Sequence, residues 1–298
     1  MARPTPHGTA RPPVLRRLLW WAADYLYAGR RQLAVLSLPW SIGRPRPTPD
    51  SWRRGDPALA EVYLLPGVYE HWTFLRPLGD ALAAAGHRVH VVHGLGVNRR
   101  SIPDTAERLV QILSETPSPP CGRVLVAHSK GGLIGKLALV SSGAAIQLAD
   151  PPALGGDPSV SLPPADGIGA AHGVSGLASP AASSVETHPL GLRGLVAVAT
   201  PFGGARRARY LFADPSIRAF LPADETIMML GRETSINGRI VSVFGSYDPH
   251  IPEGSALDGA TNVEVPAPGH FRVLAAPSTV RAVLDAIALL APGGLAAP

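Results

Sequence analysis

The chain of 298 residues is 46% hydrophobic and 16% charged, enough to bury a sizeable core in one large domain or two small ones. Its net charge of +5 is unevenly placed: residues 1–54 hold ten arginines against Asp24 and Asp50, a balance of +8, whereas the remainder is mildly acidic at −3. No nucleic-acid motif or long run of like charge accompanies the basic end, which excludes a nucleic-acid partner, and the single cysteine, Cys121, excludes an internal disulfide.

Residues 1–13, rich in Pro, Arg and Thr, read as disordered. From Val14 to about Leu38 the pattern is helical, with Leu15, Leu18, Leu19, Ala22 and Leu26 on one face and Trp20, Trp21, Tyr25 and Tyr27 flanking it. Arg16-Arg17, Asp24 and Arg30-Arg31 interrupt the segment well short of the roughly 20 apolar residues that a membrane span needs. The short apolar run and the lack of a clear cleavage site also make it a poor signal peptide, so a cytoplasmic location is expected. The helix is expected to pack on the main body or in a dimer. The alternative is peripheral membrane contact, because Arg with Trp and Tyr beside a Leu face suits a lipid surface. Residues 41–58 read as a Pro- and Arg-rich linker, making 1–54 a basic arm ahead of a body at 55–292.

In that body, Glu61–Leu65 reads as a buried strand followed by a loop over Pro66–Phe74. A helix from Asp80 stopped by Gly86, a strand at Val89–Val92 and a helix at Thr105–Leu113 come next. Alternating strand and helix predicts an α/β fold, with a mostly parallel central sheet of about six strands and helices on both faces. The organising stretch is Arg123-Val-Leu-Val-Ala-His-Ser-Lys-Gly-Gly132, a buried strand entering a helix through Ser129. That is the pattern of a nucleophile elbow, in which the serine takes a strained positive φ and its Oγ stands clear of the sheet. So close a turn requires small residues two before and two after the serine, here Ala127 and Gly131; Gly132 and Gly135 let the helix lie near the sheet.

From about Gly143 to Gly191 the sequence is rich in Ala, Gly, Pro and Ser without periodicity and reads as a flexible insertion, His172 and His188 included. Strands resume at Leu192–Ala199, Arg239–Phe244 and Asn262–Val265. Residues 205–238 read as short helices, either a small cap lining an acyl pocket or plain packing over the sheet; a helix closes the body at Leu290, and 293–298 reads as a loose tail.

A serine hydroxyl needs a base within hydrogen-bond reach and an acid to orient that base. Such partners follow the elbow in the order acid, then histidine, each on a loop after a strand. Asp248 and His270 meet this requirement. Asp258 and Asp224 are weaker order-compatible acids. His71, His87, His90 and His93 precede the serine, His128 is fixed beside it on the strand, and His250 reads as a rim residue. The backbone N–H groups of Lys130 and Val68 are the expected oxyanion donors.

With Leu64-Leu-Pro-Gly-Val-Tyr-Glu70, Ala127-His-Ser-Lys-Gly-Gly132, Ala199-Thr-Pro-Phe-Gly-Gly204, Asp248 with Ile251-Pro252, and Gly269-His270, the chain resembles the α/β-hydrolase superfamily and, within it, lipases and esterases. The likeness spans roughly 60–292 apart from the insertion. It departs where Ala127 replaces the first elbow glycine and where Pro66-Gly67 replaces the usual His-Gly of the oxyanion loop. The resemblance implies a Ser129–His270–Asp248 triad without fixing the leaving group; the reading adopted is a carboxylic-ester hydrolase with neither metal nor organic cofactor, and the Leu-, Phe-, Ile- and Met-rich segment 205–238 modestly favours an apolar acyl group. A thioesterase or acyltransferase on the same fold, or an idle hydrolase-fold binding protein, are the alternatives; oligomeric state is open.

Overall fold

The computed structural model describes residues 13–33, 47–149, 190–211 and 214–291. The expectations for residues 1–12, for the helix and linker between 34 and 46, for the insertion beyond 149 and for the tail lie outside the described residues.

Six strands form one sheet: β1 (Glu61–Leu65), β2 (Val89–Val91), β3 (Arg123–His128), β4 (Leu192–Val198), β5 (Ile240–Tyr247) and β6 (Thr261–Pro268). Their spatial order is β2-β1-β3-β4-β5-β6, and every neighbouring pair is parallel. Alternation along the strands divides the core in two. Val62, Leu64, Val124 and Val126 face one layer with α3 (Arg76–Ala84) and α8 (Pro277–Leu290). Tyr63, Leu65, Leu125 and Ala127 face the other, with α4 (Ile102–Ser114) and α5 (Lys130–Ala149). Each fully buried Leu or Val stabilises this arrangement by about 1.5–3 kcal/mol relative to exposure.

The chain reverses its lateral direction at β1, which lies between β2 and β3. In open parallel sheets such a switch leaves a crevice beyond the carboxyl ends of the strands. Leu65 pairs with Ala127, so the loop leaving β1 and the turn leaving β3 are neighbours in that crevice.

Several element ends differ from expectation. α4 begins at Ile102 because the Ser101 hydroxyl caps it, accepting from Asp104 N at 3.1 Å. α5 runs through Gly143 to Ala149: one helical glycine costs only about 1 kcal/mol and the residues after it are mostly good helix formers. β5 and β6 run on past the expected ends at Phe244 and Val265, to Tyr247 and Pro268, with a register shift between Gly245 and Tyr247. Within the stretch read as a linker, the short helix α2 (Asp50–Arg53) sends Trp52 into the core. Its Nε1 donates to Asp80 Oδ1 at 2.8 Å, and its ring lies 5.5 Å from Trp72.

The first helix, α1 (Val14–Leu33), packs on the body, but not through its leucine face. Leu15, Leu18, Leu19 and Leu26 are 58–70% exposed, whereas Asp24 is 0% exposed. The buried side of α1 is chosen by polar contacts to the loops at the carboxyl edge of the sheet.

Candidate active site

Ser129 follows β3 directly, and α5 begins at the next residue. Its φ of +51° is strained for a non-glycine residue. The turn is tight enough that a Cβ on Gly131 would lie 2.3 Å from the Leu65 carbonyl oxygen, and one on Gly132 would lie 2.0 Å from Thr200 Oγ1. The Thr200 hydroxyl donates to Ser129 O at 3.0 Å, and Ser129 N donates to Val198 O at 2.9 Å, fixing the elbow against β4.

The loops after β5 and β6 bring Asp248 and His270 to the serine. Ser129 Oγ lies 3.1 Å from His270 Nε2, and His270 Nδ1 lies 2.7 Å from Asp248 Oδ2. With the carboxylate ionised, Nδ1–H donates to it and Nε2 is left to accept the serine proton. The second Asp248 oxygen accepts from His250 N at 2.7 Å and Ile251 N at 3.1 Å, which fixes the carboxylate's orientation. Of the rival acids, Asp224, beyond the short helix α6 (Pro215–Arg218), caps α7 (Glu225–Arg232) by accepting from Thr226 N, and Asp258 makes no hydrogen bond to His270.

Burial alone would lower the His270 pKa, but Asp248, through its charge and hydrogen bond, and the carboxylates of Glu70 and Asp24 raise it above the ordinary value. Burial likewise pushes the Asp248 carboxyl up, yet His270 and the two backbone donors outweigh it and hold the group below its usual range. His250, whose ring lies 4.9 Å from that of His270, is pushed down to about 3, chiefly by burial and then by the His270 charge. It is therefore a neutral neighbour at ordinary pH.

Lys130 follows the serine directly, and Val68 lines the same cavity as Ser129. Lys130 is the first residue of α5, and the N–H groups of a helix's first turn have no intrahelical acceptor. Its side chain turns away and is buried, with Nζ donating to Asn98 O at 2.9 Å and also to Arg100 O. Burial lowers this amine to about 8. Asn98 in turn donates to Pro66 O at 2.6 Å, so the elbow, the loop after β2 and the loop carrying Val68 are linked.

Two further carboxylates lie at the site, and the sequence reading gives neither of them a place in it. Glu70 is buried; it accepts from Gly67 N at 2.7 Å and lies 2.8 Å from His128 Nδ1. His128 Nε2 donates to the His270 carbonyl at 3.0 Å, so this histidine braces the other from behind. Asp24 of α1 accepts from the backbone N–H groups of His270, Phe271 and Arg272 at 3.0, 2.9 and 2.8 Å. The available signal for Asp24 is a lone carboxylate in an apolar and Arg-rich helix, a feature that by itself argues against a membrane span or a signal peptide and names no partner.

A cavity of about 360 Å³ opens at Ser129 and His270. Its walls include Phe74, Ala208, Ile217 and Phe220 from the body and cap segment, and Trp21 and Tyr25 from α1. A larger cavity of about 540 Å³ lies behind Asp248 and reaches neither Ser129 nor His270.

By sequence, neither protein-family models nor curated proteins match the chain. By structure, it is similar to lipase BlEst2 of Bacillus licheniformis in mature form, with a TM-score of 0.53 and 12% identity over 80% of this chain and 95% of that one. It is also similar to Aspergillus fumigatus lipase B, with a TM-score of 0.54 and 14% identity over 82% of this chain and 56% of that one. The chain has the α/β-hydrolase fold. Within this α/β-hydrolase fold, the strand ends of β1, β3, β5 and β6 converge on one crevice, and Ser129, His270 and Asp248 meet there.

Proposed function

We propose that this protein is a serine hydrolase of carboxylic esters, with Ser129 as nucleophile, His270 as general base and acid, and Asp248 as the group that orients the imidazole. The observation that supports this reading most directly is the unbroken hydrogen-bonded line from Ser129 Oγ through His270 to Asp248, on a serine at φ +51°. Ser129 Oγ attacks the ester carbonyl while its proton passes to His270 Nε2. The N–H groups of Lys130 and Val68 stabilise the resulting oxyanion; in comparable sites, one such donor contributes about 2.7–4 kcal/mol. His270 then protonates the departing alcohol, leaving an acyl-enzyme. Water, deprotonated by the same histidine, releases the acid and restores the serine.

The apolar walls of the 360 Å³ cavity favour an apolar acyl group, and the cap segment over 205–238 contributes Ala208, Ile217 and Phe220 to them. Turnover of a p-nitrophenyl ester series tests this reading. Medium chains are expected to exceed acetyl in kcat/KM; preference for acetyl would contradict an acyl pocket. Faster turnover of a thioester than of its oxygen ester would move the protein to the thioesterases.

The outward face of α1 supports a lipid-surface reading of how substrate arrives. Leu15, Leu18, Leu19, Leu26 and Leu33 are 58–70% exposed, the exposed arginines Arg16 and Arg30 lie beside them, and Trp21 and Tyr25 of the same helix line the cavity. An apolar stripe with flanking cations suits an anionic bilayer surface. No described helix is long and apolar enough to cross a membrane.

A further inference from the structure

We propose that α1 is a built-in part of the active site and that Asp24 is a positioning residue for His270. This rests on the hydrolase reading above and adds to it an element far from the catalytic residues in sequence.

The polar anchors described for α1 reach the catalytic edge of the sheet, at its loops and at the end of β5. Gln32 Nε2 donates to Tyr69 O at 2.6 Å, and Arg31 donates to Thr73 O, both on the segment after β1 that carries Val68. Arg17 Nε approaches the hydroxyl of Tyr247, the last residue of β5, at 3.5 Å. The Tyr25 ring lies 5.3 Å from His250 and 6.2 Å from Phe271. A helix held in place by burying its leucines would show the opposite pattern, with apolar contacts to the body and its polar groups outward.

Asp24 is the centre of this contact. The carboxylate is fully buried and, among the described residues, makes no ion pair. A buried charge without a cation is costly unless strong hydrogen bonds replace its hydration. Three backbone donors on consecutive residues supply them, at the start of the short helical turn Arg272–Ala275. The preceding Gly269, at φ +112°, permits the approach: a Cβ there would lie 2.5 Å from Asp24 Oδ1. The His270 peptide is thus gripped at both ends. Asp24 takes its N–H, and His128, held by Glu70, donates to its carbonyl.

The expected consequence is a loss in kcat rather than in substrate binding, because loosening the loop misplaces Nε2 relative to Ser129. Misplacements of about 1 Å cost up to about 100-fold. The charged and titratable groups facing His270 are Asp248 and His250 on the loop after β5, His128 at the end of β3, Glu70 after β1, and Asp24 on α1. Removing the Asp24 charge withdraws one of the influences that raise the His270 pKa.

The test uses the full chain. Asp24→Asn is expected to lower kcat by about 10- to 100-fold with KM little changed, and to move the acid limb of the kcat/KM profile to lower pH. Gln32→Ala, which cuts an anchor without changing charge, should leave that limb in place. A folded Asp24→Asn protein with wild-type kcat and an unmoved limb would overturn the proposal. If Asp24→Asn does not fold, amide exchange in the wild-type chain decides: the amides of 270–272 should be protected and should open together with those of α1. Fast exchange at 270–272 while α1 stays protected would overturn it. Exchange and NMR titration of the His270 ring need no turnover, so failure of the hydrolase reading would be seen separately.

Discussion

Glu70 and His128 form a buried pair, with 2.8 Å between Oε1 and Nδ1, that joins the loop after β1 to the loop carrying His270. Glu70 also accepts from Gly67 N at 2.7 Å, beside the proposed oxyanion donor Val68. One side chain therefore fixes the backbone beside the proposed oxyanion donor and, through His128, the carbonyl of the proposed base.

Breaking that pair should cost both stability and rate. Glu70→Ala leaves His128, with a side chain 0% exposed, lacking its acidic partner. Removing one member of a buried pair typically costs about 3–5 kcal/mol. Denaturant unfolding should show a loss of that order, with a larger fall in kcat than in substrate affinity. A Glu70→Ala protein as stable and active as wild type would show that the pair does not brace the site.

Activity should rise with pH through a midpoint above the ordinary histidine value of 6.5, because His270 must be neutral to accept the serine proton and its pKa is raised. Asp248→Asn removes the largest of the raising influences and should move the acid limb to lower pH while lowering kcat by about 10⁴-fold. Stability follows the same linkage. The His270 contribution is complete below 6.5 and is lost as pH rises through its folded value; the Asp248 contribution is lost as pH falls through its own depressed value. An acid-limb midpoint below 6.5 in kcat/KM would contradict the assignment of His270.

The elbow should tolerate no side chain at position 131. A Cβ there meets the Leu65 backbone at 2.3 Å, and backbone cannot swing aside as a flexible side chain can. Gly131→Ala is expected to destabilise the fold by at least about 1–3 kcal/mol and to abolish turnover. Thermal unfolding with a parallel ester assay reads both effects.

The exposed leucine face of α1 should matter at lipid surfaces and little in solution. Replacing Leu15 and Leu19 by Ser should reduce co-sedimentation with anionic liposomes, leaving turnover of a soluble ester near wild type. Equal pelleting of both proteins, or none by the wild type, would count against the lipid-surface reading.

The residues legible in the sequence are those whose signal is local. Ser129 is marked by a β-branched strand, small neighbours and a helical run, all within a dozen positions, and Asp248 and His270 each follow a strand in the required order. The strands are short, nearly continuous apolar runs separated by helical segments, the pattern of a parallel sheet covered on both faces. Asp24 is different in kind: its hydrogen bond to His270 spans 246 positions, and no local pattern encodes such a contact. The amphipathic pattern of α1 located a face but not which side packs, because polar anchoring at Asp24 and Gln32 outweighs leucine burial. Arg123 was similarly hidden. It begins a strand as a charged residue, yet it is buried, with its guanidinium donating to the carbonyls of Leu113, Thr116, Pro117 and Leu190.

The most direct measurement of the central proposal is labelling by a fluorophosphonate probe, which reacts with a serine only when a base activates it. The full-length wild type, Ser129→Ala and His270→Ala would be compared, each shown to be folded by circular dichroism. Labelling of the wild type that disappears in both variants is the expected result. Labelling that persists in Ser129→Ala, or a folded wild type that takes no label, would contradict Ser129 as an activated nucleophile.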